Sequence, residues 1–204
     1  MSAEPGLRQR KKQRTRETIA HAARELFAER GYHATTLPDI AEAADVSTRT
    51  IFAYFPSKED ILFADFPLMK DALAQALAER PEGEEALETV RTFIVNSLGT
   101  QKKTDVDERI GNCIHNDETL RTHLRARIAQ LEEVIAPAIA KDIGASDDDI
   151  RPKLVAASLT AAFNVLAEHR GVRRPKDARG AVVLIDQMID FLRSGLAAIK
   201  EPQA

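Results

Sequence analysis

A chain of 204 residues with 44% hydrophobic and 30% charged residues, a formal net charge of −3 and no tryptophan has the balance of a globular protein, long enough for one sizeable core or for a small domain joined to a larger one. That composition excludes an intrinsically disordered chain, and the single cysteine, Cys113, excludes an internal disulfide, so a reducing cytoplasm is the expected compartment. The opening MSAEPGLRQRKKQRTR lacks the apolar centre of a signal peptide, and no run of about twenty apolar residues occurs that could span a membrane as a helix.

Charge is distributed unevenly. Arg8, Arg10, Lys11, Lys12, Arg14 and Arg16 stand together without an acid among them, and residues 1–14 read as a basic N-terminal arm. Such a block makes a local positive field for phosphates or a minor groove; the alternative is a solvated tail.

The elements that follow read as helices. From about Thr15, Ile19, Ala22, Ala23, Leu26 and Phe27 recur at three- and four-residue steps, and Gly31 stops the helix. Thr36 is an N-cap with Asp39 three residues on and Pro38 in the first turn; Leu37, Ile40, Ala41 and Ala44 share one face. Asp45-Val46-Ser47 breaks the period, and Ser47 or Thr48 caps a second short helix through Tyr54, which Pro56 ends. Ser57 with Asp60 caps the next helix, whose apolar spacing runs through Ile61, Leu62, Leu68, Leu73 and Leu77 to Pro81-Glu82-Gly83. Pro67 lies inside it, so a kink is expected at residues 63–66. Further helices are expected at about residues 84–98, 106–115, 117–141, 148–170 and 176–200. The fold class is therefore all-α, with about nine helices and no strand pattern.

The last helix carries two apolar stripes. Val182, Ile185, Ile189, Leu192, Leu196 and Ile199 form one, and Leu184, Met188, Phe191 and Gly195 the other. With the small residues Ala156, Ala157, Ser158, Ala161 and Ala162 of the helix before, this predicts a self-complementary contact between two copies of the chain, through Ala157, Ala161, Ile185, Ile189, Leu192 and Leu196.

Two short helices joined by a tight turn, after a longer one, form a three-helix helix-turn-helix module over residues 15–57, with the second short helix as reader. Ile51 and Phe55, four apart, anchor it on Leu26, Phe27, Ile40 and Val46. Thr48, Arg49, Phe52 and Ala53 fall on the other side. Arg49 offers a planar fork to guanine or phosphate, Thr48 and Thr50 offer hydroxyls, and Phe52 and Ala53 suit a thymine methyl. Tyr54 and Lys58 are placed for backbone phosphates, and Arg14 for phosphate or minor-groove contact.

At these residues the chain resembles the TetR family of bacterial transcriptional regulators. The resemblance covers about residues 15–77 and rests on "LFAERGYHATTLPDIAEAADVS" followed by "TIFAYFPSKEDIL". It implies DNA contacts, chiefly to phosphates, at Thr36, Thr48, Thr50, Tyr54 and Lys58. Arg49 stands where the family often has glycine, and Phe52 where it often has tyrosine. The resemblance further implies a homodimer on a palindromic operator, with residues 58–204 as a helical effector-binding and dimerisation domain. Under this reading effector binding swings the helix that starts at Ser57, with its Pro67 kink as the expected pivot. Repression is the family's default.

The effector is weakly marked. Phe63, Phe66, Phe93, Ile94, Leu124, Ile128 and Phe163 are candidates for an apolar lining, and Asn96, His115, His123 and Asn164 for its polar groups; the same aromatics also serve as ordinary core. A rival reading starts from "CIHNDETLRTHL": Cys113, His115, Asp117 and His123 make a metal-responsive regulator or a metal/thiol enzyme the alternative. Cys-x-His is not a structural-zinc spacing, and Asp117 reads as a helix cap. No phosphate-binding loop or dinucleotide fingerprint occurs, so no cofactor, metal or catalytic residue is expected.

Overall fold

The computed structural model describes residues 6–99, 104–168 and 178–198, and among these it contains eleven α-helices and no strand. They are α1 Leu7–Arg30, α2 Leu37–Ala43, α3 Thr48–Tyr54, α4 Lys58–Leu62, α5 Phe66–Ala78, α6 Ala86–Gly99, α7 Asp105–His115, α8 Glu118–Ala129, α9 Glu132–Asp142, α10 Arg151–Glu168 and α11 Ala178–Ala198. The expected helix ends at Arg170, Lys176 and Lys200, and Ile199 of the last stripe, lie outside the described residues.

Two of the nine expected helices are each divided. The stretch after Ser57 does not kink around Pro67. It stops at Leu62, turns through residues 63–65 and restarts as α5, with Pro67 in the first turn, where its missing N–H is one the helix would leave unpaired anyway. The helix expected over residues 117–141 tightens at its middle, where Gln130 and Leu131 donate three residues back, to Arg127 and Ile128, and α9 starts anew. At the other end of the chain α1 begins at Leu7, so residues 7–14 of the basic segment form its first two turns.

The caps of the short helices are those the side chains dictate. Thr36 and Asp39 form a capping box on α2, the Ser47 hydroxyl accepts from Thr50 N at 3.0 Å on α3, and the Ser57 hydroxyl accepts from Asp60 N at 3.1 Å on α4. Gly31 closes α1 at φ 86°, a conformation that side chains resist. The turn from α2 to α3 passes through Asp45 at φ 52°, a left-handed position that Asp tolerates better than bulkier residues.

The chain forms two compact units. The first lies within Met1–Ala64 and Lys103–Leu120: α1 packs on α2, α4 and α7, and α2 on α3. Ile19, Phe27, Ile40, Ile51, Phe55 and Ile61 are fully buried in it, each contributing about 1.5–3 kcal/mol of hydrophobic stabilisation. Polar ties fasten α7 and the start of α8 to the end of α1, through an Arg24–Asp107 ion pair and a 2.5 Å His33–Asp117 contact.

The second unit, within Asp65–Lys102 and Arg121–Ala204, has its core among α5, α6, α9, α10 and α11, where Leu73, Leu77, Val90, Ile135, Ile139, Leu159, Ile185 and Ile189 meet. Arg80 is its polar hub. It donates to the carbonyls of Leu77 at 2.7 Å and Glu84 at 3.1 Å and pairs with Asp142, whose other oxygen accepts from Ala86 N at 2.5 Å. No helix among the described residues is long and apolar enough to cross a membrane.

Candidate nucleic-acid interface

The reader is amphipathic in the sense a groove requires. On α3, Ile51 is 0% exposed and Phe55, its C-cap, 1%, whereas Phe52 is 55% exposed and Arg49 and Ala53 are exposed beside it. The helix has seven residues and is capped at its start by Ser47. Thr48 is half-buried at the first position, and the Thr50 hydroxyl lies 2.8 Å from the Ser47 hydroxyl, inside the cap. Thr36 is exposed, and its hydroxyl donates to Asp39 at 2.6 Å while also accepting in the capping box. Those bonds hold Asp39 below the usual carboxylate range.

Lys58 and Arg16 both make contacts inside the protein. The Lys58 ammonium donates to the carbonyls of Tyr32 at 2.9 Å and Thr35 at 3.0 Å and lies 4.1 Å from the Tyr32 ring centroid, so it closes the loop before α2. The Tyr32 hydroxyl in turn donates to Glu59 at 2.6 Å, and burial, reinforced by Glu59, pushes its pKa well above the ordinary value. Arg16 leaves the exposed basic group and turns inward, while Arg8, Arg10, Lys11, Lys12 and Arg14 stay exposed on the first turns of α1. The signal was in the periodicity: residue 16 shares the α1 stripe of Ile19, Ala20 and Ala23.

Residues 19–64 match the family profile described as bacterial regulatory proteins, tetR family, and residues 85–197 match the MftR C-terminal domain profile. The HTH-type transcriptional regulator TcmR of Streptomyces glaucescens is 33% identical over 204 residues, a match that covers 95% of this chain and 89% of that protein. The chain belongs to the TetR family. HbdR of Aromatoleum sp. (strain CIB), another HTH-type transcriptional regulator, is 43% identical over 68 residues, covering 33% of this chain and 30% of its own. The crystal structure of Thermus thermophilus FadR, a TetR-family transcriptional repressor in complex with lauroyl-CoA, is similar at a TM-score of 0.59 and 26% identity, with 93% of this chain and 98% of that one covered. This TetR-family protein is thus a DNA-binding transcriptional regulator, with α2 and α3 as its helix-turn-helix.

The effector candidates fall in different places. Phe63 is buried at the C-cap of α4, in the unit that carries the reader. Phe66, Phe93 and Phe163 are partly buried, each packed against the core of the second unit. Leu124, Ile128 and His123 are half-buried on α8 and Asn96 is exposed on α6. The buried Asn164 Oδ1 has no hydrogen-bond partner among the described residues. Cys113 and His115, two apart on α7, leave the helix about 200° from one another. Among the described residues no group of three or more His, Cys, Asp or Glu side chains is arranged to hold a metal ion.

The expected contact between copies needs correction. Ile185, Ile189 and Leu192 are 3%, 1% and 5% exposed and belong to this chain's own core, with Leu196 packed against it, so they are not available to a partner. Of the second stripe on α11, Leu184, Phe191 and Gly195 are exposed, Phe191 at 74%, while Met188 packs against the core; Val183 on α11 and Leu154, Ala157, Ala161 and Val165 on α10 are exposed as well.

Proposed function

We propose that this regulator is a repressor that binds an inverted-repeat operator as a homodimer and is released by a mostly apolar small molecule. The observation that carries the reading is the exposed Arg49, Phe52 and Ala53 on a reader whose opposite side, Ile51 and Phe55, is locked in the core. Arg49 supplies base readout, Phe52 and Ala53 apolar contact, and Thr36, Thr48, Thr50 and Tyr54 phosphate contacts, with Arg14 and its basic neighbours extending the phosphate grip along the first turns of α1. Lys58 acts mainly by shaping the loop that presents α2.

The exposed apolar residues of α10 and α11, two helices that pack on each other, support dimerisation, with Phe191 at 74% exposure as the largest of them. Two symmetric readers then demand half-sites about one helical turn apart. Phe66, Phe93 and Phe163 against one core, and the buried Asn164 carbonyl oxygen on the same helix as Phe163 that lacks a donor, support an effector with an apolar body and a hydrogen-bond donor. Repression follows the family's default.

Selection of bound duplexes from random DNA tests the reading: an inverted repeat is expected, and a single ungapped half-site would remove the dimer. On the recovered operator Arg49→Ala should relax selection at one position by about 1–3 kcal/mol. Lauroyl-CoA, the ligand of the T. thermophilus relative, is the first effector probe; operator release and a raised melting temperature are expected of a ligand of this class.

A further inference from the structure

The structure assigns Arg16 a task that its place in a basic run conceals: it is a positioning residue that sets the pitch of the reader, not a contact to DNA. Its guanidinium Nη1 donates to the Tyr54 carbonyl at 3.2 Å and Nη2 to the Ala64 carbonyl at 3.2 Å, while Cζ lies 4.3 Å from the centroid of the Phe55 ring. Tyr54 is the last residue of α3, and Ala64 follows the end of α4. The final carbonyls of any helix lack partners within it, and a cation there satisfies them and complements the dipole. One arginine therefore caps the end of α3 and ties it to the turn that follows α4.

Only a planar fork can do this. A guanidinium presents two N–H groups in fixed divergence and a flat face for an aromatic ring, whereas an ammonium is a single hydrated point charge. The need is real because α3 has seven residues, about two turns, and cannot hold its own direction. Ser47 fixes its start, Ile51 and Phe55 fix its inner face, and Arg16 fixes its end. Phe52 and Ala53, on the outer face, lie in that last turn, so a change of pitch there moves the groups that would meet the bases.

This inference rests on the reading of α3 as a sequence reader. The test uses the full chain and two duplexes of equal length: the operator recovered by the wild-type chain from random DNA, and a scrambled duplex. Fluorescence anisotropy is recorded over a range of salt for wild type, Arg16→Met and Arg16→Lys. Both variants are expected to lose about tenfold or more on the operator while staying within about twofold on the scrambled duplex, since only base readout is misaligned. The salt slope should be unchanged.

A phosphate contact would behave differently. Equal loss on both duplexes for Arg16→Met, with the slope falling by about 0.9, overturns the assignment. So does an Arg16→Lys protein that binds like wild type, because lysine keeps the charge and loses the fork. If circular dichroism shows Arg16→Met unfolded, Arg16→Lys decides alone. A wild-type chain that recovers no preferred sequence overturns the reader itself, and with it this role for Arg16.

Discussion

The Lys58 ammonium donates to the Thr35 carbonyl at 3.0 Å, which ties the first turn of α4 to the loop that leads into α2. With the Tyr32 carbonyl and ring as further partners, this lysine has two of its three hydrogens committed inside the protein. Lys58→Met should therefore cost stability more than DNA affinity. We expect about 1.5–3 kcal/mol from the charged hydrogen bonds, visible as faster amide exchange in residues 32–36. A variant with unaltered exchange but uniformly weaker DNA binding would return Lys58 to the phosphate role.

Ile51 and Phe52 are neighbours with opposite fates. Ile51→Ala empties a fully buried site and should destabilise the first unit by about 2–5 kcal/mol, read from denaturant unfolding. Phe52→Ala removes a ring that is 55% exposed, and should leave the unfolding midpoint within about 0.5 kcal/mol while weakening operator binding. The two measurements separate folding from reading on one helix turn.

Phe191 and Ile189 give the matching contrast at the other end of the chain. Phe191→Asp places a charge on the exposed side of α11 and should shift sedimentation from dimer to monomer with the helical signal retained. Ile189→Asp buries that charge in the core and should unfold the second unit. A Phe191→Asp protein that stays dimeric would move the dimer contact to another surface.

Asp117 sets an acid limit on the first unit. Its bond from Leu120 N, aided by His33, holds its carboxyl below the ordinary value, as the Thr104 cap and Arg24 do for Asp107. The sign follows: a folded pKa below the unfolded one gives stability that is complete above about pH 4 to 5 and is lost as pH falls through the depressed folded value. Asp117→Asn keeps a capping oxygen and removes the charge. Acid unfolding followed by circular dichroism should show a shallower pH dependence; an unchanged profile would leave Asp107 as the main contributor.

What the sequence settled by itself was local. Capping side chains at Thr36, Ser47 and Ser57, the stop at Gly31, and the periodic apolar positions located the short helices and the outward face of α3, because each depends on residues within a turn or two of one another. What only the tertiary structure decided was where long side chains go and which of two equally apolar faces turns inward. Arg16 and Lys58 look like members of a basic surface until distant carbonyls at Tyr54, Ala64, Tyr32 and Thr35 are brought to them. On α11, Ile185 and Leu184 are neighbours in a helix with two apolar stripes. Packing against α6 and α10 buries the first at 3% exposure and leaves the second at 37%, a choice made by neighbouring helices that no periodicity within α11 encodes.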